Sequence, residues 1–240
     1  MSERSVNHSY GDRAASDLAA LEADAERDSD LETGTLRQGC VSHLERDRSQ
    51  AIWTGLGGVV LCRDETLAEV IAAVINEHVD DNYDVLVHKL DAVVGERVPG
   101  ASCRIDIGMY CCEPRPGVPA ELSAAVGVRR RDEVGMSDLP ESVEHVFVIE
   151  DDSSIVSWAS NIPVLQVGDH WIHSVGVGTD EGYRRRGYAR AVTSAIAKHV
   201  ADEGGATLWV CEANNVASFR LGRSVGYLEH HWVLNWRVPE

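Results

Sequence analysis

Lysine is scarce in this chain: only Lys89 and Lys198 occur in 240 residues, so arginine carries nearly all of the positive charge. Acidic residues outnumber basic ones 39 to 22, a formal net charge of −17. A surface of that sign repels phosphate backbones and anionic membranes, which argues against nucleic-acid and membrane partners. It suits a salt-adapted proteome and equally a GC-rich genome. No apolar run approaches the eighteen or so residues a spanning helix needs, and Met1–Asp12 is polar, without the apolar heart of a secretion signal. The expectation is a cytoplasmic protein. Six cysteines form no C-x-x-C pair, no Cys/His set has zinc spacing, and ten histidines show no H-E-x-x-H. Adjacent Cys111 and Cys112 pair only under strain. Reduced thiols and no metal are expected.

What is present is enough apolar material, 44%, for a real core. After a polar stretch expected to be a loose tail over residues 1–12, Leu18, Leu21 and Ala25 have helical spacing. Gly58 to Cys62 reads as a strand. Thr66 and Glu69 resemble a capping box opening a helix, and Leu67, Val70, Ile71, Val74, Ile75 and Val79 give it one apolar face. That face needs a partner, either this chain or a second copy in a homodimer. Val85–Val94 fits a helix or a strand. Ser102–Cys112 alternates as a strand, residues 113–119 are a break rich in proline, and 129–140 is charged and loop-like. His145–Asn161 reads as a hairpin, Trp171–Thr179 as a strand, Arg186–Ala201 as a strong helix stopped by Gly204-Gly205, and Ala206–Cys211 as a buried strand. A shorter helix over Asn214–Val225 and one or two closing strands complete an α/β layer on a mixed sheet.

The chemistry concentrates where a strand runs through a glycine-bearing turn into a helix, Val175 to Arg190. The first turn of a helix offers unpaired backbone N–H groups and the positive end of its dipole, a ready anion site. Gly187 removes a side chain where phosphates would pass, Ala189 keeps the next turn small, and Arg184, Arg185, Arg186 and Arg190 reverse the sign of an otherwise acidic chain. No G-x-x-x-x-G-K-[ST] occurs, which sets aside a nucleoside triphosphatase.

Arg184-Arg185-Arg186-Gly187-Tyr188-Ala189 resembles the coenzyme motif of the GNAT N-acetyltransferase superfamily, Arg or Gln, two residues, Gly, one residue, Gly or Ala. Downstream, Asn215, Ser218, Leu221, Gly226 and Tyr227 resemble its second signature, and the hairpin at 146–159 its central strands. The resemblance covers the last 95 or so residues. It implies a GNAT-like mixed central sheet flanked by helices (α/β, or α+β), with an extra N-terminal α/β region. The expected division is residues 1–140, of unknown role although 101–140 would supply the fold's first elements, and 141–240, the acetyl-CoA-binding domain.

The same resemblance implies acetyl-CoA as co-substrate. Its pantetheine would pair with Val177, Gly178 and Thr179, its pyrophosphate would sit on the backbone of Arg185, Arg186, Gly187, Tyr188, Ala189 and Arg190, after Arg184, and Asn215 would reach the pantetheine or cap its helix. An amine, a small molecule first and a protein second, would attack the thioester in a ternary complex, with backbone N–H groups steadying the oxyanion. Many relatives carry a tyrosine acid seven residues after the helix-start Asn; here that position is Gly222. His173 and Glu212 are the candidate bases, against plain readings as a strand histidine and a solvated carboxylate. Trp158 and Tyr110 are candidate acceptor-pocket residues that fit core packing as well. A non-catalytic acyl-CoA sensor is the rival reading.

Overall fold

The computed structural model describes residues 37–39, 49–54, 57–61, 65–78, 83–137, 139–167 and 170–237. The tail and the helix expected over 14–25, and Cys40 and Cys62, lie outside them. The chain divides into two compact units: Met109–Val210 with Ala217–Leu228, and the described parts of Glu22–Gly108 with Cys211–Val216 and the residues from Glu229 onward.

In the second unit β1 (Arg37–Gly39) runs parallel to β3 (Gly57–Leu61), and β3 is antiparallel to β2 (Ser49–Thr54). β2 in turn pairs antiparallel with β10 (Leu228–Arg237), and β4 (Ser102–Cys111) follows β10 in the sheet. Helices α1 (Glu65–His78) and α2 (Tyr83–Arg97) supply the core. Leu67, Ile71 and Ile75 of α1 meet Leu86, Leu90 and Val94 of α2 and Ile105 and Leu234 of the sheet. The apolar stripe of α1 therefore finds its partner within the chain, and the ambiguous segment at 85–94 is helical because Leu86, Leu90 and Val94 repeat every fourth residue. Thr66 lies within the first turn of α1, which begins at Glu65.

The other face of β4 is polar. Asp106 is buried, accepting from Arg104 Nη2 at 2.8 Å and from Asn235 Nδ2 at 3.0 Å. His231 lies flat over Gly108, where any Cβ would collide with the imidazole. Burial, and then neighbouring His230, hold the His231 pKa down to about 4. The unfolded chain binds that proton near pH 6.5, so between pH 6.5 and 4 it holds more protons than the folded one. Stability is present in full above pH 6.5 and is lost as pH falls toward 4, by at most roughly 3 kcal/mol. Urea unfolding at pH 7 and pH 4.5 checks this. His231→Leu is expected to narrow the gap between the two midpoints, and an unchanged gap would remove His231 as its source.

The first unit is ordered β5 (Gly127–Arg130), β6 (His145–Asp151), β7 (Ser154–Val167), β8 (His170–Thr179), β9 (Ala206–Glu212). β5 to β8 are antiparallel neighbours, and β8 and β9 are parallel. Two elements here escaped the sequence. A short helix α3 (Ala120–Ala124) and the start of β5 lie where no element was expected, and Arg129 and Arg130, expected to be loop-like, belong to β5. The hairpin also reaches Val167, well past Asn161, through a bulge at Pro163/Leu165. One closing strand, β10, follows α5 (Val216–Val225).

Helix α4 (Tyr188–Asp202) packs Ala191, Val192 and Ile196 on Phe147, Ile149, Val156 and Ala159, with Val175 and Val177 of β8 alongside. On the opposite face, Val146 and Val148 are covered by Leu139 and Val143, with Trp158 and Ile162 against them. α5 is fixed in this unit by Trp209, whose Nε1 donates to Ser218 Oγ at 3.2 Å and whose ring tilts against buried Tyr227.

Candidate functional site

β8 and β9 start as a paired ladder, Ile172↔Ala206, His173↔Thr207, Ser174↔Leu208, and the pairing stops there. Both strands continue, β8 to Thr179 and β9 to Glu212. β8 stays paired along its other edge, Val175 to Thr179 against Asn161 to Ser157 of β7. From Val175 onward, then, the β9-facing edge of β8 has backbone hydrogen-bonding groups without a ladder partner on β9. Such an edge accepts an extended, amide-bearing ligand as it would accept a strand.

At the end of this edge the chain turns. Glu181–Tyr183 make one 3-10 turn, Arg184 is extended, and Arg185 and Gly187 take left-handed backbone conformations, φ 62° and 86°. These two conformations start α4 at Tyr188, later than the Arg186 expected from sequence. Gly187 is its N-cap residue and makes no side-chain cap. The first-turn N–H groups of Tyr188, Ala189 and Arg190 are therefore not taken by a capping side chain, and together with the turn they form a concave donor cluster at the positive end of the helix. A Cβ on Gly187 would lie 3.1 Å from Leu122 Cδ1 of α3, so the position is closed to side chains by conformation and by space.

The four arginines divide by partner. Arg184 Nε donates to Thr179 O at 3.3 Å, and Arg186 Nη2 to Gly182 O at 3.0 Å. The Arg186 guanidinium also stands 4.9 Å from the Tyr183 ring centroid, and Tyr183 stacks on Tyr188 and donates its hydroxyl to Asp151 at 2.7 Å. Arg184 and Arg186 thus stiffen the turn. Arg190 differs: its Nε is buried without a hydrogen-bond partner. Arg185, a non-glycine residue in a left-handed conformation, stores strain of about 1–2 kcal/mol. Arg185→Gly is expected to raise the thermal midpoint; a lower midpoint would show that the arginine side chain, and not the turn, holds this segment.

His173 stands in the paired part of β8, on the α4 face with Val175 and Val177, next to Thr207. Burial lowers its pKa; Glu203 raises it and His199 lowers it in turn. Both belong to the C-terminal end of α4, roughly 18–24 Å along the helix from Gly187. A depressed pKa leaves the imidazole neutral at pH 7, as a base requires. Its Nδ1 is 2.8 Å from Asn161 Nδ2. With the amide turned so that Oδ1 faces the ring, Nδ1–H donates and Nε2 is the free lone pair; in the other orientation Nε2 carries the proton. Asn161→Asp would fix the first tautomer and raise the His173 pKa, so the acid limb of a rate profile should move to higher pH. Imidazole NMR titration reads the shift directly, and an unmoved pKa would break the Asn161–His173 link.

Glu212 and Asn215 belong to the second unit and are described there. Glu212 is exposed, 3.5 Å from Arg104 Nη1. Asn215 is exposed and immediately precedes α5, its N–H bonded to Glu212 O at 2.9 Å. Gly222 is buried in α5. A Cβ there would approach Met109 Cε to 2.7 Å and Trp209 Cδ1 to 3.2 Å, so the glycine is a packing requirement of this helix. Tyr110 is a half-buried residue of β4. Sequence reasoning missed Gly176, Asn161 and the turn-bracing role of Tyr183; an alternating Gly-x-Gly on a strand was the one available signal.

Among solved structures, the chain is similar to a GNAT-family acetyltransferase from Novosphingobium aromaticivorans DSM 12444, with 18% identity over 57% of this chain and 67% of that one, TM-score 0.46. A GNAT-family acetyltransferase from Colwellia psychrerythraea is 12% identical over 62% of this chain and 61% of that one, TM-score 0.45. The aminoglycoside N-acetyltransferase AAC(6')-Iy in complex with CoA is 14% identical over 38% of this chain and 72% of that one, TM-score 0.32. No curated protein matches the chain. The model of the family described as GNAT acetyltransferase matches residues 146–233, from β6 through the uncapped turn and α4 into β10, and this C-terminal region belongs to the GNAT superfamily.

Proposed function

We propose that the chain is an acetyl-CoA-dependent N-acetyltransferase that moves the acetyl group to an amine in a ternary complex. One observation carries the reading: the half-empty edge of β8 leads straight into an uncapped, glycine-started helix. The first suits the amides of pantetheine and the second a pyrophosphate. Val177, Gly178 and Thr179 would pair with the pantetheine arm. The backbone of Arg185 to Arg190 would hold the pyrophosphate, with the Arg190 guanidinium beside it. Asn215 is the further contact we assign to the coenzyme. Residues 141–240 would carry this machinery.

The amine nitrogen must reach the thioester carbonyl unprotonated. It attacks, the tetrahedral oxyanion is steadied by β8 N–H groups, and the coenzyme thiolate leaves. His173 and Glu212 are the side chains we propose as bases. A thiol is acidic enough, with an ordinary pKa near 8.5, to leave without a strong acid beside it.

Calorimetric titration with acetyl-CoA, at moderate and at high salt, tests the binding half. One saturable site per chain is the expected result, and no binding by folded protein would overturn it. His173→Ala tests the chemical half and should lower turnover more than coenzyme affinity; equal turnover removes His173 as base. The closed position at Gly222 favours one second reading, a coenzyme sensor without turnover. Binding with no CoA released across a broad amine panel would select it.

A further inference from the structure

From Ser174 onward the face of β8 turned away from α4 carries only small residues, Ser174, Gly176 and Gly178, and Gly178 stands directly across from Trp158 of β7. The indole uses the space. Its six-membered ring lies over Gly176, with Cζ3 3.6 Å from where a Cβ would be, and its pyrrole side covers Gly178, with Cε2 at 2.7 Å from the same imaginary atom. Any residue but glycine at 178 would push the ring off the strand. Trp158 packs at its rim on the Val146–Val148 cluster yet is only partly buried. Across the gap, Leu208 and Val210 of β9 share this face, and Val210 is 46% exposed.

Counting side chains on this face from Trp158 to Ile162, Ser174 to Gly178 and Leu208 to Val210 gives tryptophan, isoleucine, leucine, valine, serine and glycine, and no charge. This shelf lies against the stretch of β8 that the proposed function assigns to the pantetheine arm of the coenzyme, whose end bears the acyl group. We propose that it is the acceptor subsite, that the acceptor is a primary amine on a flat apolar body, and that Trp158 is its platform. The inference rests on the coenzyme reading for the position of the reacting carbonyl. A planar ring laid on the indole gains stacking and buried area. A polycation laid on this uncharged shelf would lose hydration without gaining a stacking partner. The amine would project along the glycines toward the gap, where it attacks after losing its proton to solvent or to the base.

Full-length protein saturated with CoA is titrated with 2-phenylethylamine and, separately, with spermidine, at high ionic strength so that the overall acidic charge is screened. Phenylethylamine should bind at one site, and more tightly than spermidine. Trp158→Leu should weaken phenylethylamine about tenfold, and Trp158→Phe less, since it keeps a ring. Acetyl-CoA affinity should be the same in all three proteins. If Trp158→Leu does not fold, Trp158→Phe alone decides between a weakened and an unchanged affinity. No phenylethylamine binding, tighter spermidine binding, or equal affinity in the variants would overturn the proposal. Failure of the coenzyme reading looks different: wild type then takes up no acetyl-CoA, and the amine titrations run on the free protein are judged by the same criteria.

Discussion

Gly187→Glu is expected to abolish acetyl-CoA binding, a loss of at least about a hundredfold. Two effects act together. The residue sits at φ 86°, where any side chain is strained, and Leu122 Cδ1 already stands 3.1 Å from the Cβ position. The new carboxylate would also lie beside the donors of the helix start, where it competes for the N–H groups and repels the ligand's phosphates. Gly187→Ala separates the two. It brings the Cβ without the charge, and should cost about 1–2 kcal/mol of stability while retaining measurable binding. The decisive measurement is calorimetry on variants shown by circular dichroism to be folded. A folded Gly187→Glu protein that binds with wild-type affinity would move the phosphate site elsewhere.

Gly222→Tyr is the second large effect, and its sign runs against intuition. Placing a tyrosine where many superfamily relatives have their proton donor looks like a repair. Here the Cβ alone would meet Met109 Cε at 2.7 Å and Trp209 Cδ1 at 3.2 Å, before any ring is added. Overpacking of that kind should cost more than about 3 kcal/mol and loosen α5 from the sheet. A fall in the urea midpoint with no gain in turnover is expected. A stable variant with faster turnover would mean that α5 has room to shift, and that the missing acid limits the rate.

Much of the site was legible because its residues act through backbone. Gly187 declares a left-handed turn, and the apolar repeat Val192, Ile196, Val200 declares the helix after it. The same logic explains what was hidden. Nothing in the letters distinguishes Arg185, which bends left-handed, from Arg184, which is extended. Arg129 and Arg130 look like coil until β6 offers Val146 and His145 as ladder partners. The end of pairing at Ser174 is a relation between two strands, as is the fit of Trp158 over Gly178, and single-strand patterns carry no trace of either. Gly222 was read as a missing acid; its packing against Met109 shows what the glycine is for.

The half-empty ladder on β8 has a consequence for how the protein is kept. A strand with one edge open behaves as a template, and without its ligand it invites pairing with stray chains. Stored without coenzyme, concentrated protein should cloud on warming, and the amides of Val175 to Thr179 that face the gap should exchange with deuterium early. Acetyl-CoA bound as proposed would cover that edge, so the free-energy margin against unfolding should rise with the logarithm of its concentration.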